Sequence, residues 1–303
     1  MKKVCVIGYP IKHSLSPEIH NYWLKENGIE GSYEKLEIHP DDFDERFKNL
    51  HSEGYVGCNI TLPFKERAFE LIAQMGGFDD SVESSAAIIT GAVNTVSIIN
   101  GKYIGKNTDY IGFLDNITTQ HNADVINGKT IVLGAGGAAR AIVMSLMIGH
   151  VPATTDNIPE IIITNRSKYK AEKIVDDLNK YKDTAFSDWN GTISVIDWRQ
   201  IDKALEGANL LINTTSLGMA GQPPLDINLE HLPKDALVTD IVYRPLITPL
   251  LQAAQDRGNP IVDGLGMLLH QAAPGFEMWF ADELNGRKVE VTKELRDKIE
   301  ARL

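Results

Sequence analysis

The sequence predicts an α/β protein of two domains, and three observations carry that prediction. Short apolar runs alternate with amphipathic segments of helical length. A glycine-rich turn, Gly134-Ala135-Gly136-Gly137-Ala138, stands between an apolar run and a helical stretch. The last segment, residues 292–303, is helical again, with Val291, Leu295, Ile299 and Leu303 four apart on one face, and is expected to return to the first domain. A chain of 303 residues suits two domains of ordinary size, each able to bury a core without staples.

In chain order, Val-Cys-Val-Ile at 4–7 predicts a buried first strand. Ser16-Pro17 predicts a helix start, with Ser16 as the cap, proline at the first helical position, and Gly28 ending the segment. Residues 32–38 alternate like a strand, and 41–50 form a short helix with Phe43, Phe47 and Leu50 on one face. Residues 55–61 are the next strand, and Pro63 starts a helix carrying Phe64, Ala68, Leu71 and Ile72 inward. This alternation implies a largely parallel first sheet. The second set has strands at 130–133, 161–164, 193–196, 210–213, 236–241 and 260–262, with an apolar helix running from the glycine turn to about residue 148. Segments 151–159 and 183–191 are polar, rich in turn formers, and read as loops.

Composition excludes several classes. No apolar run is long enough to span a bilayer, and the segment after Met1-Lys2-Lys3 is too short for a secretory signal, so a cytoplasmic protein is expected. A net charge of -11 argues against general nucleic-acid binding, which needs a basic footprint. Cys5 and Cys58 both lie in strand-like contexts and read as reduced core thiols. The histidines show no HExxH pairing and two cysteines make no zinc cluster, so no metal is expected.

A strand, a glycine turn and a helix in succession are the context of a dinucleotide-binding, Rossmann-type domain. There the backbone approaches a pyrophosphate and the helix aims its N–H groups and dipole at it. The plainer reading is a tight turn with no ligand. The next strand sharpens the choice. Where a turn selecting NAD carries an acid for the ribose 2′-hydroxyl, this strand ends Thr164-Asn165-Arg166-Ser167-Lys168, with Lys170 behind it. An acid there would repel a 2′-phosphate, and these residues would receive one, so NADP is favoured. Cations at a helix start are otherwise disfavoured unless an anion sits there.

The first domain carries four polar clusters near strand ends: Ser14-Leu15-Ser16-Pro17, Asn59-Ile60-Thr61-Leu62-Pro63-Phe64-Lys65, Asn94-Thr95 and Asn107-Thr108-Asp109. Ligands of open α/β sheets lie outside the carboxyl ends of strands. Side chains converging there suit a small polyhydroxylated acid, with serines at a helix start for its carboxylate. Each cluster also has a bland reading, as a cap, a strand-end satisfier or one more surface lysine. The case rests on all four together.

At this point the chain resembles the shikimate dehydrogenases over nearly its full length. The matching segments are Gly8-Tyr-Pro-Ile-Lys-His-Ser-Leu-Ser-Pro17, Asn59-Ile-Thr-Leu-Pro-Phe-Lys65, Gly91-Ala-Val-Asn-Thr95, Gly105-Lys-Asn-Thr-Asp109, Gly134-Ala-Gly-Gly-Ala138, Asn165-Arg166-Ser167 and Asp263-Gly-Leu-Gly-Met-Leu-Leu-His-Gln271. The resemblance implies reversible, NADP-linked interconversion of 3-dehydroshikimate and shikimate, a step of chorismate and aromatic amino-acid biosynthesis. It implies a discontinuous α/β substrate domain, residues 1–108 and 265–303, facing a Rossmann-type NADP-binding domain, residues 109–264. By the same resemblance, Ser14 and Ser16 bind the substrate carboxylate. Asn59, Thr61, Asn94, Asp109 and Gln271 hold its hydroxyls, and Lys65 with Asp109 forms the catalytic pair. Tyr243, in Ile241-Val-Tyr-Arg-Pro245, lies near substrate and nicotinamide, and Ile241, Gly264 and Met267 serve the cofactor. Gly134, Ala135, Gly136, Gly137, Ala138, Asn165, Arg166, Ser167 and Lys170 hold the rest of it. A monomer or homodimer is expected. The chain departs from the family pattern at Tyr110, where glycine is frequent, at Ser167, where threonine is commoner, and in extra length before Ile161.

Three other readings compete. A relative accepting quinate as well as shikimate differs by one hydroxyl and ring saturation. A non-catalytic dinucleotide-sensing protein would have lost the lysine or the aspartate, and both are present. A dehydrogenase for a larger, folate-linked substrate fits the small hydroxyl-rich constellation poorly.

Overall fold

A computed structural model describes residues 1–149 and 158–303. By contact the chain divides into two compact units, Met1–Asp109 with Leu269–Arg302, and Tyr110–Leu268. The loop expected at 151–159 lies outside the described residues over 151–157, whereas 183–191 is irregular, as expected.

The first unit is built on β1 (Lys2–Gly8), β2 (Gly31–Glu37), β3 (Tyr55–Ile60), β4 (Thr95–Ile99) and β5 (Lys102–Lys106), in the order β2-β1-β3-β4-β5. β1 pairs in parallel with β2 and β3, but β3–β4 and β4–β5 are antiparallel. The expected largely parallel sheet therefore holds for three strands and fails for two. The β4–β5 pairing is set by a two-residue connection, Asn100-Gly101, with φ of 50° and 79° at its two positions. Asn-Gly with both φ positive is the turn that best matches the twist of an antiparallel hairpin. A helix absent from the sequence reading, Val82–Thr90, precedes β4, capped by Ser81 and ended by Gly91 in the left-handed conformation.

One face of this sheet packs Cys5, Ile7, Phe43, Phe47, Phe64, Leu71 and Val96 into a core, with Phe43 stacked on Phe64 at 4.2 Å. Cys5 and Cys58 are register partners on β1 and β3 and are both free, buried thiols. Aromatic side chains from the helices Ser16–Glu26 and Leu265–Trp279 cluster with Tyr33 of β2. Glycine at position 57 makes this possible: a Cβ there would lie 2.0 Å from Trp279 Nε1, which donates to the Val96 carbonyl at 2.9 Å.

The second unit has six parallel strands, β6 (Lys129–Leu133), β7 (Glu160–Thr164), β8 (Thr192–Ile196), β9 (Leu210–Asn213), β10 (Leu237–Asp240) and β11 (Ile261–Val262). Their order, β8-β7-β6-β9-β10-β11, is that of a doubly wound dinucleotide-binding sheet. The order reverses between β6 and β9, and the glycine turn follows β6 directly. Ile131, Leu133, Leu205, Leu211, Val238 and Leu251 fill one face. Among the described residues, no helix is long and apolar enough to cross a membrane.

Candidate active site

In the first unit the polar clusters join into one hydrogen-bonded network. Lys65 opens the helix Lys65–Gln74, and its Nζ donates to Asp109 Oδ2 at 2.6 Å. The lysine side chain is 23% exposed and that of the aspartate 7%, so the pair is largely dry while the ammonium keeps access. A cation at a helix start is locally unfavourable, and Asp109 offsets it. The backbone N–H of Asp109 is in turn held by Asn107 Oδ1 at 3.0 Å.

Asn94, just before β4, is the hub. Its Nδ2 donates to Asp109 Oδ1 at 2.8 Å, to Thr108 Oγ1 at 3.0 Å and to Gln271 Oε1 at 3.3 Å. Its Oδ1 accepts from the Thr108 N–H and the Thr95 hydroxyl, at 2.9 and 3.0 Å. Asn59, at the end of β3, donates to the Asn94 carbonyl and to Thr95 Oγ1, at 3.2 and 3.0 Å. Asn59, Asn94 and Asp109 are all buried, and one linked set of bonds runs from Asn59 to Lys65. The antiparallel hairpin that sequence reading missed is what brings Asn94 beside Asn59 and Asp109.

Ser14 and Ser16 stand together: the Ser14 hydroxyl donates to Ser16 Oγ and accepts from the Ser16 N–H, both at 3.3 Å. Ser16 was expected to cap its helix. The cap is instead Leu15, with no side-chain hydrogen bond, and Ser16 is the first helical residue. Among the described residues the Ser16 hydroxyl makes no bond to the N–H groups of its helix, and accepts from Ser14 instead. Thr61 is half-buried, its N–H bonded to the Ile7 carbonyl at 2.9 Å. Among the described residues its hydroxyl does not join the network.

In the second unit, Gly134 has φ of 112°, and a Cβ on it would lie 2.5 Å from Thr214 Oγ1. Gly136 caps the helix Gly137–Ile148 without any side-chain bond, and no acidic residue lies in the first turn. A Cβ at Gly136 or Gly137 would meet nothing within 4 Å. The turn therefore needs glycine at 134 for its own geometry, and leaves open space beside 136 and 137 at a helix start that its cap residue does not bond, as suits an anion site at a helix N-terminus. Ala135 and Ala138 flank these, both half-buried. Arg140, one turn on, is committed to Asp177 at 2.7 Å.

At the end of β7, Asn165 Nδ2 donates to the Ser167 carbonyl at 3.0 Å. Arg166, Ser167 and Lys170 are exposed, and among the described residues neither Arg166 nor Lys170 makes an ion pair. Ser167 caps the helix Lys168–Asn179 without a side-chain bond. These groups fit a 2′-phosphate at an unsatisfied helix start.

Ile241 follows β10, its N–H bonded to the Asn213 carbonyl at 3.1 Å. Tyr243 is half-buried, and burial raises its phenol pKa. Gly264 lies so close to the Asp240 and Ile241 carbonyls that a Cβ would come within 2.7 and 2.5 Å of them, and Met267 is buried nearby in sequence. Sequence reading missed Asp240, which is 1% exposed and anchors this stretch. It accepts from the Val242 N–H at 2.9 Å, Asn213 Nδ2 at 3.0 Å and the Thr248 hydroxyl at 2.8 Å. Burial pushes its carboxyl up to about 6 against those three bonds. An acid inside an apolar strand run was the signal for it.

A doubly wound parallel sheet with an open glycine turn, joined in one chain to a small α/β unit holding a buried carboxylate–ammonium pair, defines the two-domain nucleotide-linked dehydrogenases. Comparison with known proteins narrows this. The family described as the shikimate dehydrogenase substrate binding domain matches residues 6–96. The shikimate dehydrogenase (NADP(+)) of Dinoroseobacter shibae is 45% identical over 295 residues, which is 96% of this chain and 94% of that protein. Its namesake from Methylocella silvestris is 45% identical over 297 residues, 98% of this chain and 95% of that one. The crystal structure of the Thermus thermophilus shikimate 5-dehydrogenase in complex with NADP(H) and shikimate has a TM-score of 0.80, 28% identity, and full coverage of both chains (100% each). The chain belongs to the shikimate dehydrogenase family.

Proposed function

We propose that this protein is an NADP-linked shikimate dehydrogenase that interconverts shikimate and 3-dehydroshikimate, a step toward chorismate and the aromatic amino acids. The single observation that carries the reading is the 2.6 Å contact of Lys65 Nζ with Asp109, inside a network that ends in Asn59, Asn94 and Gln271. The first unit takes the substrate and the second the dinucleotide. NADP, when bound, supplies the hydride acceptor, and its reduced form the donor.

This chain's residues do the rest. Ser14 and Ser16 receive the substrate carboxylate, with Ser16 at a helix start. Asn59, Thr61, Asn94 and Gln271 hold hydroxyls. As the neutral amine, Lys65 takes the proton from the hydroxyl being oxidised, and as the ammonium it returns that proton in the reverse direction, while Asp109 holds both the Lys65 nitrogen and the hydroxyl. Gly134, Gly136, Gly137, Ala135 and Ala138 would cradle the pyrophosphate. Asn165, Arg166, Ser167 and Lys170 would hold the 2′-phosphate. Ile241, Tyr243, Gly264 and Met267 would line the nicotinamide. A cytoplasmic location, with the enzyme a monomer or homodimer, suits a chain with two free core thiols.

The test is absorbance of reduced nicotinamide with shikimate or quinate, each paired with NADP or NAD. Rapid reduction of NADP by shikimate is expected, with the other pairs slower. Equal rates on quinate would establish the relaxed-specificity reading. No turnover with any pair would overturn the enzyme assignment in favour of a dinucleotide sensor.

A further inference from the structure

The side chains that touch Asn59 from below have no place in the mechanism above, yet they dictate what Asn59 can do. A primary amide has two donor hydrogens and two acceptor lone pairs. Both Asn59 hydrogens are committed, to the Asn94 carbonyl at 3.2 Å and Thr95 Oγ1 at 3.0 Å. One lone pair of Oδ1 is taken by the Tyr33 hydroxyl at 2.6 Å. One acceptor site remains.

Tyr33 is itself fixed from three sides. Its ring lies flat on His20, with centroids 4.1 Å apart and planes 7° apart. Asn21 clamps its backbone in both directions, accepting from the Tyr33 N–H at 3.2 Å and donating to its carbonyl at 2.9 Å. Trp279 packs at its edge. Burial pushes the phenol well above its ordinary value, the Ser16 hydroxyl opposing, so it stays a donor at neutral pH. Burial likewise pushes the His20 imidazole down to about 3, so the stacked ring stays neutral, and among the described residues neither of its ring nitrogens has a hydrogen-bond partner.

We infer that Tyr33 is a positioning and specificity-determining residue: together with the Asn94 carbonyl and Thr95 Oγ1, which take the two N–H groups, it fixes the Asn59 amide so that the remaining Oδ1 lone pair accepts from a substrate hydroxyl. The inference rests on the proposed substrate role of Asn59. Without the phenol, the Asn94 carbonyl and Thr95 Oγ1 still hold the two N–H groups, but Oδ1 loses the bond that fixes it, so the amide loosens and its remaining lone pair meets the substrate hydroxyl less well.

The test is a double-mutant cycle read on shikimate kinetics. Tyr33→Phe keeps the ring stack and removes only the donor. It should raise the shikimate KM about 5–10-fold, with kcat changed less and the NADP KM unmoved. In an Asn59→Ala background the same change should alter the shikimate KM less than about 2-fold. Thr95→Val, which loosens the same amide from its other end, should also raise the shikimate KM and stands in if Tyr33→Phe does not fold; its effect should shrink in the Asn59→Ala background without vanishing, because Thr95 also donates to Asn94 Oδ1 at 3.0 Å. An unchanged shikimate KM in a folded variant, or the same fold-change in both backgrounds, overturns the inference. Wild-type protein that turns over no shikimate overturns the underlying assignment instead, and is seen before any variant is made.

Discussion

The two units prepare for ligands by opposite means. In the first, the groups are side chains, buried and already bonded to one another, from Asn59 through Asn94 to Asp109 and Lys65. In the second, at the glycine turn, the groups are backbone N–H ends at a helix start that its cap residue does not bond, and a Cβ at Gly136 or Gly137 would meet only open space. A hydroxylated ring must be read group by group, and a buried network fixes each donor and acceptor before the ligand arrives. A pyrophosphate needs only positive potential and close approach, which a bare helix start supplies. The difference teaches that the first unit is vulnerable to loss of side chains and the second to their addition.

The sharpest way to break this contrast is to delete one side chain from the network. Lys65→Ala removes the group proposed to transfer the proton and should lower kcat by about 10²–10⁴-fold, with the NADP KM little changed, measured as steady-state NADPH formation. An undiminished kcat would take Lys65 out of the reaction. The converse experiment adds a side chain to the turn. Gly134→Val puts a branched Cβ at φ of 112° and 2.5 Å from Thr214 Oγ1. Strain and overlap together should cost at least about 3 kcal/mol, seen as a lower Tm. Gly136→Ala meets nothing, so its Tm should hold while the NADP KM rises. If both variants lost stability equally, the turn would be a structural element and not an open anion site.

Much of this was legible in the sequence because local chemistry fixed it. Leu210–Asn213 is found at its expected bounds, and β6, β7 and β8 begin one residue early and end as expected, since apolar runs bounded by turn residues leave little choice. The Gly134–Ala138 turn was legible because only glycine tolerates its φ. The β4–β5 hairpin was not read, although Asn100-Gly101 announces it, because Asn94-Thr95 lies within one apolar stretch that shows no strand alternation. The network was legible as a set of residue types but not as a wiring diagram. Which atom of Asn94 faces Asp109, and that Tyr33 grips Asn59, depend on pairings between positions distant in sequence, 26 residues apart for Tyr33 and Asn59. The Ser16 cap failed for a local reason. A serine before Pro17 satisfies the capping pattern, but the helix begins one residue earlier than that pattern assumes, so Ser16 is its first helical residue and Leu15 holds the cap position.

The contrast can be sharpened at the end of β7. If Arg166 and its neighbours read only a 2′-phosphate, Arg166→Asp should weaken NADP by about 10–100-fold, the worth of a charge-assisted bond, and leave the NAD KM unchanged or lower. The ratio of kcat/KM for the two dinucleotides measures this. A parallel loss with both would assign Arg166 to a group the two cofactors share.

The smallest effect lies where a buried side chain serves the second unit. Asp240 is raised to about 6 by burial, from an ordinary value near 4. A carboxyl raised in the folded state binds its proton there more tightly than in the unfolded chain. Between about pH 4 and 6 the folded state therefore carries more protons, and stability falls as pH rises through that window. Above about pH 6 the buried charge costs its full amount, and below about pH 4 that cost is gone. The rise from near 4 to about 6 bounds this cost at about 3 kcal/mol, with the three hydrogen bonds that hold the carboxylate already included. Asp240→Asn cannot titrate, but its Nδ2 replaces an acceptor used either by the Val242 N–H or by Asn213 and Thr248 together, so it should be less stable at all pH values. Wild type should therefore lose stability relative to the variant by about 1–2 kcal/mol from about pH 4 to pH 7, read as the pH dependence of the difference in urea unfolding free energy. A difference that stays flat would mean that Asp240 keeps its charge throughout, held by the same three donors, and that the loop carrying Ile241 and Tyr243 is tied down by an anion and not by a neutral acid.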